Sequence, residues 1–390
     1  MGKPEIVSIY EGFFSGGARI LHTDVALGLH ERGYAQSVAA INSETFRENT
    51  SQRMETDPSY RRLRDADITV ASLGRRAIGN EIDYTPFTKS ELDTFTRQAE
   101  TSDIIFSVKE QPLRLINQID SLDQSVIVGL HRSDPEHQGR SLDDLHVAIR
   151  MGRVGCLIAT ADASKAAYVD VGIPPELIHV VRNGIDLERF SPSNDKRALT
   201  RERLGISPDN PVVAFAARFD TMKDVPLFLE SARLYLEENP SATMLMCGAG
   251  MTRDNTQVQQ ALDKAFAGAY DLRSQLRLLG IRCDMEAIYS ASDVVASTSR
   301  FGETYPLCLI EGLACGAVPV ATEVGDSEHI VSEGRGLLTS RDPFVIADAW
   351  QKAYENRPVF LEAIRATRNN FSRHHMVDEY SRIIDQYAVA

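Results

Sequence analysis

Long apolar runs are missing from this sequence. None of its segments reaches the roughly 18 consecutive apolar residues that a membrane-spanning helix needs. The first residues, MGKPEIVSIYEGFF, enter a strand-like segment without the basic stretch and long apolar core of a secretory signal. We therefore expect a soluble, cytoplasmic protein, and its 390 residues allow two domains with separate cores.

Cysteine is scarce, and the five cysteines are scattered without a C-x-x-C pair or a His/Cys cluster. This spacing favours reduced thiols and argues against a metal site. One Asp-x-Asp sequence, Asp65 to Asp67, lies where a helical pattern meets a strand, which is a poor position for a metal clamp. The sequence predicts that no metal or other cofactor is required.

Basic residues are also outnumbered. Lys and Arg total 42 against 55 Asp and Glu, so the net charge is −13, and both halves of the chain share the acidic excess. Nucleic acids and anionic membranes are bound by basic surfaces. The composition thus disfavours both as partners and favours small polar molecules, with the chain acting as a monomer or a homodimer.

Short apolar segments alternate with longer helical patterns along the chain, and the alternation restarts at PVVAFAARF. Strands separated by helices predict parallel, doubly wound sheets. We expect two Rossmann-like α/β domains, residues 1–190 and 191–374, joined by a polar linker near residues 183–198. In such sheets ligands collect at the carboxyl ends of the strands.

The segment FGETYPLCLIEGLACGAVPV, residues 301–320, carries two glutamates, Glu303 and Glu311, around a short helical pattern. Pro306 suits the first turn of a helix, and Gly316 can end it in a left-handed conformation. Backbone N–H groups at such a helix start attract phosphate. The two carboxylates would then meet ligand hydroxyls, a combination that fits a nucleoside-diphosphate sugar.

This segment, with Leu-Ala-Cys-Gly and Val-Pro-Val after the second glutamate, strongly resembles the donor-site motif of family 4 glycosyltransferases. The resemblance implies a retaining enzyme of the GT-B fold, in which two Rossmann-like domains face one another across a cleft. It also implies that a final helix, residues 375–388, packs back on the amino-terminal domain.

The resemblance assigns donor-site residues in the second domain. Arg218 and Lys223, after the strand PVVAFAARF, resemble the family's phosphate-binding pair, and Glu311 would bind the nucleotide ribose. Arg282 would contact the base or a phosphate, next to Asp284 as a helix N-cap. The donor's sugar and phosphates would be held by Glu303, Thr304, Tyr305, Pro306 and Leu307.

Site residues are also implied in the first domain. Gly16 and Gly17 resemble the family's Gly-Gly loop, where glycine allows positive φ and close backbone approach to the donor. His131, after the strand SVIVGL, would touch the transferred sugar or the acceptor, and Asp134 would help to bind the acceptor. We therefore list Glu303, His131, Arg218 and Lys223 as the catalytic candidates.

The segment VRNGIDLERFSP resembles the family's interdomain signature, with Asp186 capping a turn and Phe190 packing under the second domain. We interpret it as hinge architecture rather than as part of the catalytic site.

These features predict transfer of a hexosyl unit from UDP-glucose, UDP-N-acetylglucosamine or GDP-mannose to a small polar acceptor. We expect the loops at residues 42–65 and 75–90 to select the acceptor. The opening segment resembles actinobacterial natural-product glycosyltransferases, including those acting on aminocyclitols. Two alternatives stay open: a nucleotide-sugar epimerase of the same fold and a non-catalytic sugar-nucleotide binding protein. A dehydrogenase ranks last, because G-x-G-x-x-G is absent.

Overall fold

The computed structural model arranges the alternating strands and helices as two α/β units of similar size. The residues that the structure describes are 2–14, 16–47, 50–79 and 82–388. The first unit comprises Met1–Gly184 with Arg373–Ala390, and the second comprises Ile185–Ser372. The division therefore falls between Gly184 and Ile185, slightly before the boundary that we predicted after residue 190.

An eight-stranded sheet forms the centre of the first unit. Its strands are β1 (Glu5–Gly12), β2 (Ala35–Arg47), β3 (Thr50–Arg53), β4 (Thr69–Ile78), β5 (Ile104–Ser107), β6 (Ser125–Leu130), β7 (Val154–Ala159) and β8 (Ile178–Val180). They follow the order β3-β2-β1-β5-β6-β7-β8, with β4 also paired to β2. The β2–β3 pairing is antiparallel, and the other pairings are parallel. Near-continuous apolar strands such as β5 are buried on both faces, as parallel sheets require.

Helices cover this sheet. They are α1 (Gly17–Glu31), α2 (Pro58–Asp65), α3 (Lys89–Ala99), α4 (Leu113–Ile116), α5 (Arg140–Arg150) and α6 (Asp162–Asp170). Local signals set several of their ends. Asp57 caps α2 by accepting a hydrogen bond from the Ser59 N–H, and Thr88 with Glu91 forms a capping box on α3.

The second unit has a six-stranded parallel sheet. Its strands are β9 (Val212–Ala216), β10 (Thr243–Cys247), β11 (Leu276–Gly280), β12 (Val294–Ser297), β13 (Val318–Thr322) and β14 (Leu337–Thr339). They follow the order β11-β10-β9-β12-β13-β14, so the order in which strands are added to the sheet reverses between β9 and β12. Such a reversal is the point at which open parallel sheets bind ligands.

The helices of the second unit are α7 (Asn194–Leu204), α8 (Val225–Glu238), α9 (Thr256–Ala265), α10 (Met285–Ala291), α11 (Leu307–Ala314), α12 (Ser327–Val331), α13 (Pro343–Glu355) and α14 (Arg357–Thr367). At the amino ends of the strands, the buried Asp293 binds Arg201 at 2.8 Å and Arg197 at 2.7 Å. Asp293 also accepts a hydrogen bond from the Val212 N–H at 2.9 Å. This buried ion cluster fixes the edge of the sheet opposite to the carboxyl ends.

The last helix, α15 (Arg373–Tyr387), belongs to the first unit and packs on α1. Its approach is close enough to require a glycine, because a Cβ at Gly28 would lie 2.6 Å from a methyl group of Val377. Every helix in the described part of the chain is too short or too polar to cross a bilayer.

Of the two loops that we expected, 42–65 is largely regular structure, whereas most of the described part of 75–90, residues 79 and 82–88, is a loop. β2 extends to Arg47, β3 pairs beside its end, α2 occupies much of the rest of 42–65, and the end of β4 occupies the start of 75–90. The end of β2 and β3 are polar because they form an exposed extension of the sheet, so polarity alone predicted a loop incorrectly in this part of 42–65. Residues 48–49 and 80–81 of these ranges lie outside the described residues.

Candidate active site

The segment after β9 places two cations at the carboxyl end of the second sheet. Arg218 pairs with Asp220 at 2.8 Å. Asp220 also caps a short 3-10 turn, Thr221–Lys223, by accepting a hydrogen bond from the Met222 N–H at 2.8 Å. The aspartate thus fixes both the guanidinium and the turn that ends in Lys223.

Lys223 contacts Glu303, which lies in the loop after the neighbouring strand β12. The ammonium group of Lys223 donates to Glu303 Oε1, and the hydroxyl of Ser299 donates to the same oxygen at 2.6 Å. Both Glu303 and Ser299 are buried. Two segments far apart in sequence, after β9 and after β12, are therefore joined by a charged, hydrogen-bonded cluster.

Electrostatics keep Glu303 ionised. Burial opposes ionisation, but the Lys223 ammonium, the Ser299 hydroxyl and the nearby Arg218 together outweigh it and lower the pKa of Glu303 below its ordinary value. The site therefore presents a carboxylate acceptor next to two cations. This combination can bind hydroxyl groups and phosphate groups side by side.

Hydrogen bonds to the backbone hold the Lys223 turn in place. The hydroxyl of Thr298 donates to the carbonyls of Lys223 and Asp224 at 3.1 and 3.2 Å, and the Arg300 N–H donates to Met222 at 2.7 Å. Asp224 adopts φ 49°, a left-handed conformation that is uncommon outside glycine. Its buried carboxylate contacts Arg341, which stabilises this conformation.

A glycine turn after β10 packs against the same segment. Gly248 has φ 137°, and a Cβ there would lie 2.1 Å from the carbonyl oxygen of Ala217. The Phe219 N–H donates to Ala249 at 2.8 Å, which extends the pairing of the two strands past their ends. Only glycine permits this approach to the backbone beside Arg218.

The Glu303 loop leads into α11 as the sequence predicted, and β13 follows. Pro306 is the N-cap of the helix rather than its first residue. Because proline has no N–H, the first amide of the helix is that of Leu307. Gly316, with φ 91°, follows the helix in the predicted left-handed conformation. Gly325 lies against the loop, where a Cβ would lie 2.3 Å from the Glu303 carbonyl oxygen.

Thr304 and Tyr305, which follow Glu303 in the loop, are both buried. The Tyr305 side chain points into the core, and its hydroxyl lies 3.0 Å from His329 Nδ1. The carbonyl of Thr304 accepts a hydrogen bond from the Asp326 N–H at 2.8 Å. Any contact of these two residues with a donor would therefore involve their main chain more than the Tyr305 ring. Leu307 begins the helix.

Glu311 lies within α11 and is buried. It accepts a hydrogen bond from the hydroxyl of Tyr289, whose pKa is raised by burial and by the carboxylate. Glu311 is thus held on the side of α11 that faces α10, apart from the Lys223–Glu303 pair.

Arg282 follows the edge strand β11. It binds Asp284 through two hydrogen bonds of 2.8 and 2.5 Å, and both side chains are exposed. Asp284 occupies the N-cap position of α10, but among the described residues its carboxylate makes no capping hydrogen bond. Asp284 thus lies at the N-cap position as predicted, but the neighbouring guanidinium, rather than a helix amide, binds its carboxylate.

In the first unit, the Gly-Gly segment differs from the expected turn. Gly16 has φ 175°, an extended conformation that any residue can adopt, and Gly17 is the first residue of α1. Positive φ is therefore not the reason for glycine here. A Cβ at Gly16 would lie 3.1 Å from the Arg19 guanidinium, the end of a flexible side chain that can shift, so packing against the described residues does not require glycine either.

His131 follows β6 directly, as the sequence indicated. Burial, with smaller effects from Lys109 and His22, lowers the pKa of His131 to about 3, so the imidazole is neutral at physiological pH. Its Nε2 is buried and has no hydrogen-bond partner within the described residues. The ring folds back over Gly129, where a Cβ would lie 2.8 Å from that nitrogen.

Asp134 forms a two-fold ion pair with Arg132, with both N–O distances at 2.7 Å. Glu110, after β5, accepts a hydrogen bond from the Tyr168 hydroxyl, and burial raises the pKa of Glu110 to about 7. The carboxyl ends of β5 and β6 therefore carry a second set of polar groups that includes His131.

The interdomain signature is structural. Asp186 accepts hydrogen bonds from the Glu188 and Arg189 N–H groups at 3.0 and 3.1 Å, and Phe190 is buried in the core of the second unit. Both predictions for these residues are confirmed.

The described residues contain no group of three His, Cys, Asp or Glu side chains placed to bind a metal ion. The five cysteines are free thiols.

Sequence reasoning missed the residues that fix the cluster: Ser299, Asp220, Asp224, Gly248 and Gly325. A signal existed for two of them. Ser299 lies in the polar run that follows the apolar strand β12, and Gly248 begins the Gly-Ala-Gly turn after β10. Polar or glycine residues directly after a buried parallel strand are good site candidates.

Comparison with known proteins finds a family match in the second half of the chain. Residues 196–373 match the sequence model of the family Glycosyl transferases group 1. A D-inositol 3-phosphate glycosyltransferase of Geodermatophilus obscurus is 28% identical over 270 residues, which cover 66% of this chain and 58% of the relative. The chain thus spans less than two thirds of the length of this curated relative.

Solved structures share the fold over nearly the whole chain. The Anabaena protein HepE, crystallised with UDP-glucose, superposes with a TM-score of 0.80 at 19% identity, covering 98% of this chain and 100% of the other. Sucrose-phosphate synthase of Thermosynechococcus elongatus gives 0.71 at 17% identity, covering 100% of both chains. The predicted GT-B fold with two Rossmann-like domains is confirmed, and residues 196–373 are similar to the glycosyl transferases group 1 family.

Proposed function

We propose that this protein is a retaining glycosyltransferase that moves a hexosyl unit from a nucleoside-diphosphate sugar to a hydroxyl of a small polar acceptor. The observation that carries the proposal is the contact of Lys223 with the buried Glu303, beside Arg218, at adjoining strand ends of the second unit. The family match over residues 196–373 supports it.

The two cations fit the chemistry of the leaving group. When the bond between the anomeric carbon and the phosphate oxygen breaks, negative charge develops on that oxygen. Arg218 and Lys223 would stabilise this charge from fixed positions, and one such contact is worth about 3 kcal/mol, or about 10² in rate.

Glu303 and Glu311 supply acceptors for the donor's hydroxyl groups. We assign Glu303 to the transferred sugar because it lies beside the cations that would hold the phosphates. Glu311, held by Tyr289, is assigned to the nucleotide ribose. The main chain of residues 304–307 would complete the phosphate contacts, and Arg282 would bind the base once its pair with Asp284 opens.

The configuration at the anomeric carbon is retained if the acceptor attacks from the face that the leaving group vacates. The acceptor oxygen forms the new bond to the anomeric carbon, and its proton passes to the departing phosphate oxygen. This path needs no covalent protein intermediate and no metal ion.

The first unit would bind the acceptor. His131, neutral and at a strand end, can accept or donate a hydrogen bond to a hydroxyl without adding charge, and Asp134 lies three residues further along the chain. The curated relative's name, D-inositol 3-phosphate glycosyltransferase, supports a cyclitol acceptor.

A nucleotide panel tests the donor assignment. We expect UDP, GDP or one of their sugar conjugates to raise the melting temperature, because a ligand at 100 times its dissociation constant adds about 2.7 kcal/mol of stability. Incubation with donor alone separates transfer from epimerisation, because an epimerase would release a changed sugar without an acceptor. No stabilisation by any nucleotide sugar would contradict the proposal.

A further inference from the structure

A cavity of about 300 Å³ in the first unit has none of the site residues named above in its lining, but its 84–87 segment lies in the 75–90 range that we expected to choose the acceptor. It is lined by the 84–87 segment that follows β4, by α4 and its carboxyl end, and by α5. Since α4 follows β5 and α5 follows β6, the cavity lies between the connections that leave two neighbouring strands of the sheet.

Two oxygen atoms in this lining are buried without a donor. Asp144 Oδ2 and Asn117 Oδ1 have no hydrogen-bond partner in the part of the chain that the structure describes. The Asn117 side-chain N–H donates to the Asp144 carbonyl at 2.9 Å, and this hydrogen bond fixes the orientation of the Asn117 side-chain oxygen. Burial raises the pKa of Asp144 to about 6, as expected for a carboxylate that lacks a partner. Buried acceptors without donors are rare unless a ligand or water supplies the hydrogens.

The lining of this cavity also contains two guanidinium groups, which are hydrogen-bond donors. The Arg140 guanidinium lies 4.2 Å from the centre of the Tyr84 ring and forms no ion pair with the described residues. Arg114 is different, because its guanidinium binds both oxygens of Glu11 at 2.6 and 3.0 Å. One cation and one carboxylate are therefore left for a ligand, and their charges cancel.

We propose that this cavity binds a neutral ring polyol, whose hydroxyls donate to Asp144 and Asn117 and accept from Arg140. The inference rests on the proposed function and deepens it, since it names an uncharged polyol as the acceptor class. A phosphate ester fits less well, because the Asp144 carboxylate would repel it. Carboxylate, amide and guanidinium groups around an aromatic ring together match both the donors and the acceptors of a hydroxylated ring.

Ligand-observed NMR on the full chain tests the proposal with myo-inositol and a myo-inositol phosphate as probes. We expect saturable binding of myo-inositol and weaker binding of its phosphate. D144N should weaken myo-inositol binding by about tenfold, because it loses a hydrogen bond to a charged acceptor. D143N is the matched control, since Asp143 is the exposed neighbour on the same helix, and it should bind as wild type does.

R140Q gives an independent variant at an exposed position and should also weaken binding by about tenfold. UDP binding and the melting temperature of each variant report whether it is folded. Equal binding by D144N and wild type, no saturable binding, or tighter binding of the phosphate would overturn the inference. Each of these results leaves the donor assignment intact if UDP still binds, whereas loss of all nucleotide binding by wild type would contradict the proposed function instead.

Discussion

Lys223 and Glu303 lie 80 positions apart in the sequence, yet the lysine ammonium donates to Oε1 of the glutamate. The turn that ends β9 and the loop that follows β12 bring them together, because these strands are neighbours in the sheet. The pair makes Glu303 an ionised, buried acceptor beside cations, and this property is the basis of the function proposed here.

Replacing Glu303 by Gln should lower turnover by roughly tenfold to a hundredfold, because a hydrogen bond from a substrate hydroxyl to a charged acceptor is lost. The measurement is nucleoside-diphosphate release with a donor and an acceptor. E237Q, an exposed glutamate on α8, serves as control and should retain full activity. A fully active E303Q would show that the carboxylate does not contact the substrate.

Replacing Ser299 by Ala removes a 2.6 Å hydrogen bond to the Glu303 carboxylate and should destabilise the protein by about 1–3 kcal/mol. That hydrogen bond helps to hold the pKa of Glu303 low in the folded state. The stability contributed by Glu303 is present above its unfolded-state pKa and is lost as pH falls through its folded-state pKa. In S299A the folded-state pKa rises, so acid unfolding should begin at higher pH.

Denaturant unfolding as a function of pH measures this effect. S191A removes a hydroxyl that binds the Glu188 carbonyl on the surface, and it should unfold in acid as wild type does. Identical acid transitions for S299A and wild type would mean that Ser299 does not stabilise the carboxylate.

Gly248 and Gly268 offer a matched pair of glycines. Both have positive φ, but a Cβ at Gly248 would meet the Ala217 carbonyl oxygen at 2.1 Å, while a Cβ at Gly268 would meet open space. G268A should cost about 1 kcal/mol from backbone strain, whereas G248A should cost several times as much and should weaken nucleotide binding near Arg218. Equal melting temperatures for the two variants would contradict the close packing of this turn.

His131 should make stability depend on pH. Its pKa is about 3 in the folded protein and 6.5 in the unfolded chain, so the unfolded state binds more protons between these values. Stability is therefore expected to fall as pH drops below 6.5. In H131N the free energy of unfolding should fall less steeply over that range. The difference in this free energy between H131N and wild type should be constant well above pH 6.5, and denaturant unfolding measures both. Parallel curves throughout would show that His131 titrates normally.

Much of the architecture could be predicted because its signals are local. Apolar β-branched segments gave the strands of both sheets, and the restart of the pattern near residue 211 gave the second unit. Residues placed directly after predicted strands, such as Lys223 and His131, do lie at carboxyl ends. The extension formed by β3 and the end of β4 was missed, because its strands are polar and exposed and lack the apolar pattern of the others.

The internal order of the site could not be predicted, because it depends on contacts between distant segments. Nothing local marks Ser299 as a partner of Glu303, or Asp224 as a residue held at positive φ by Arg341. The Arg282–Asp284 pair shows that a local signal can also mislead, because the Asp284 side chain lies in a capping position but binds a nearby guanidinium.

The most direct test of the central claim is nucleoside-diphosphate release by the double variant R218Q/K223Q, with the exposed K352Q as control. The account predicts that K352Q is fully active and that the double variant stays folded but loses at least about 10² in rate, since two cations that stabilise the leaving phosphate are removed. Turnover at the wild-type rate in the folded double variant would contradict the account.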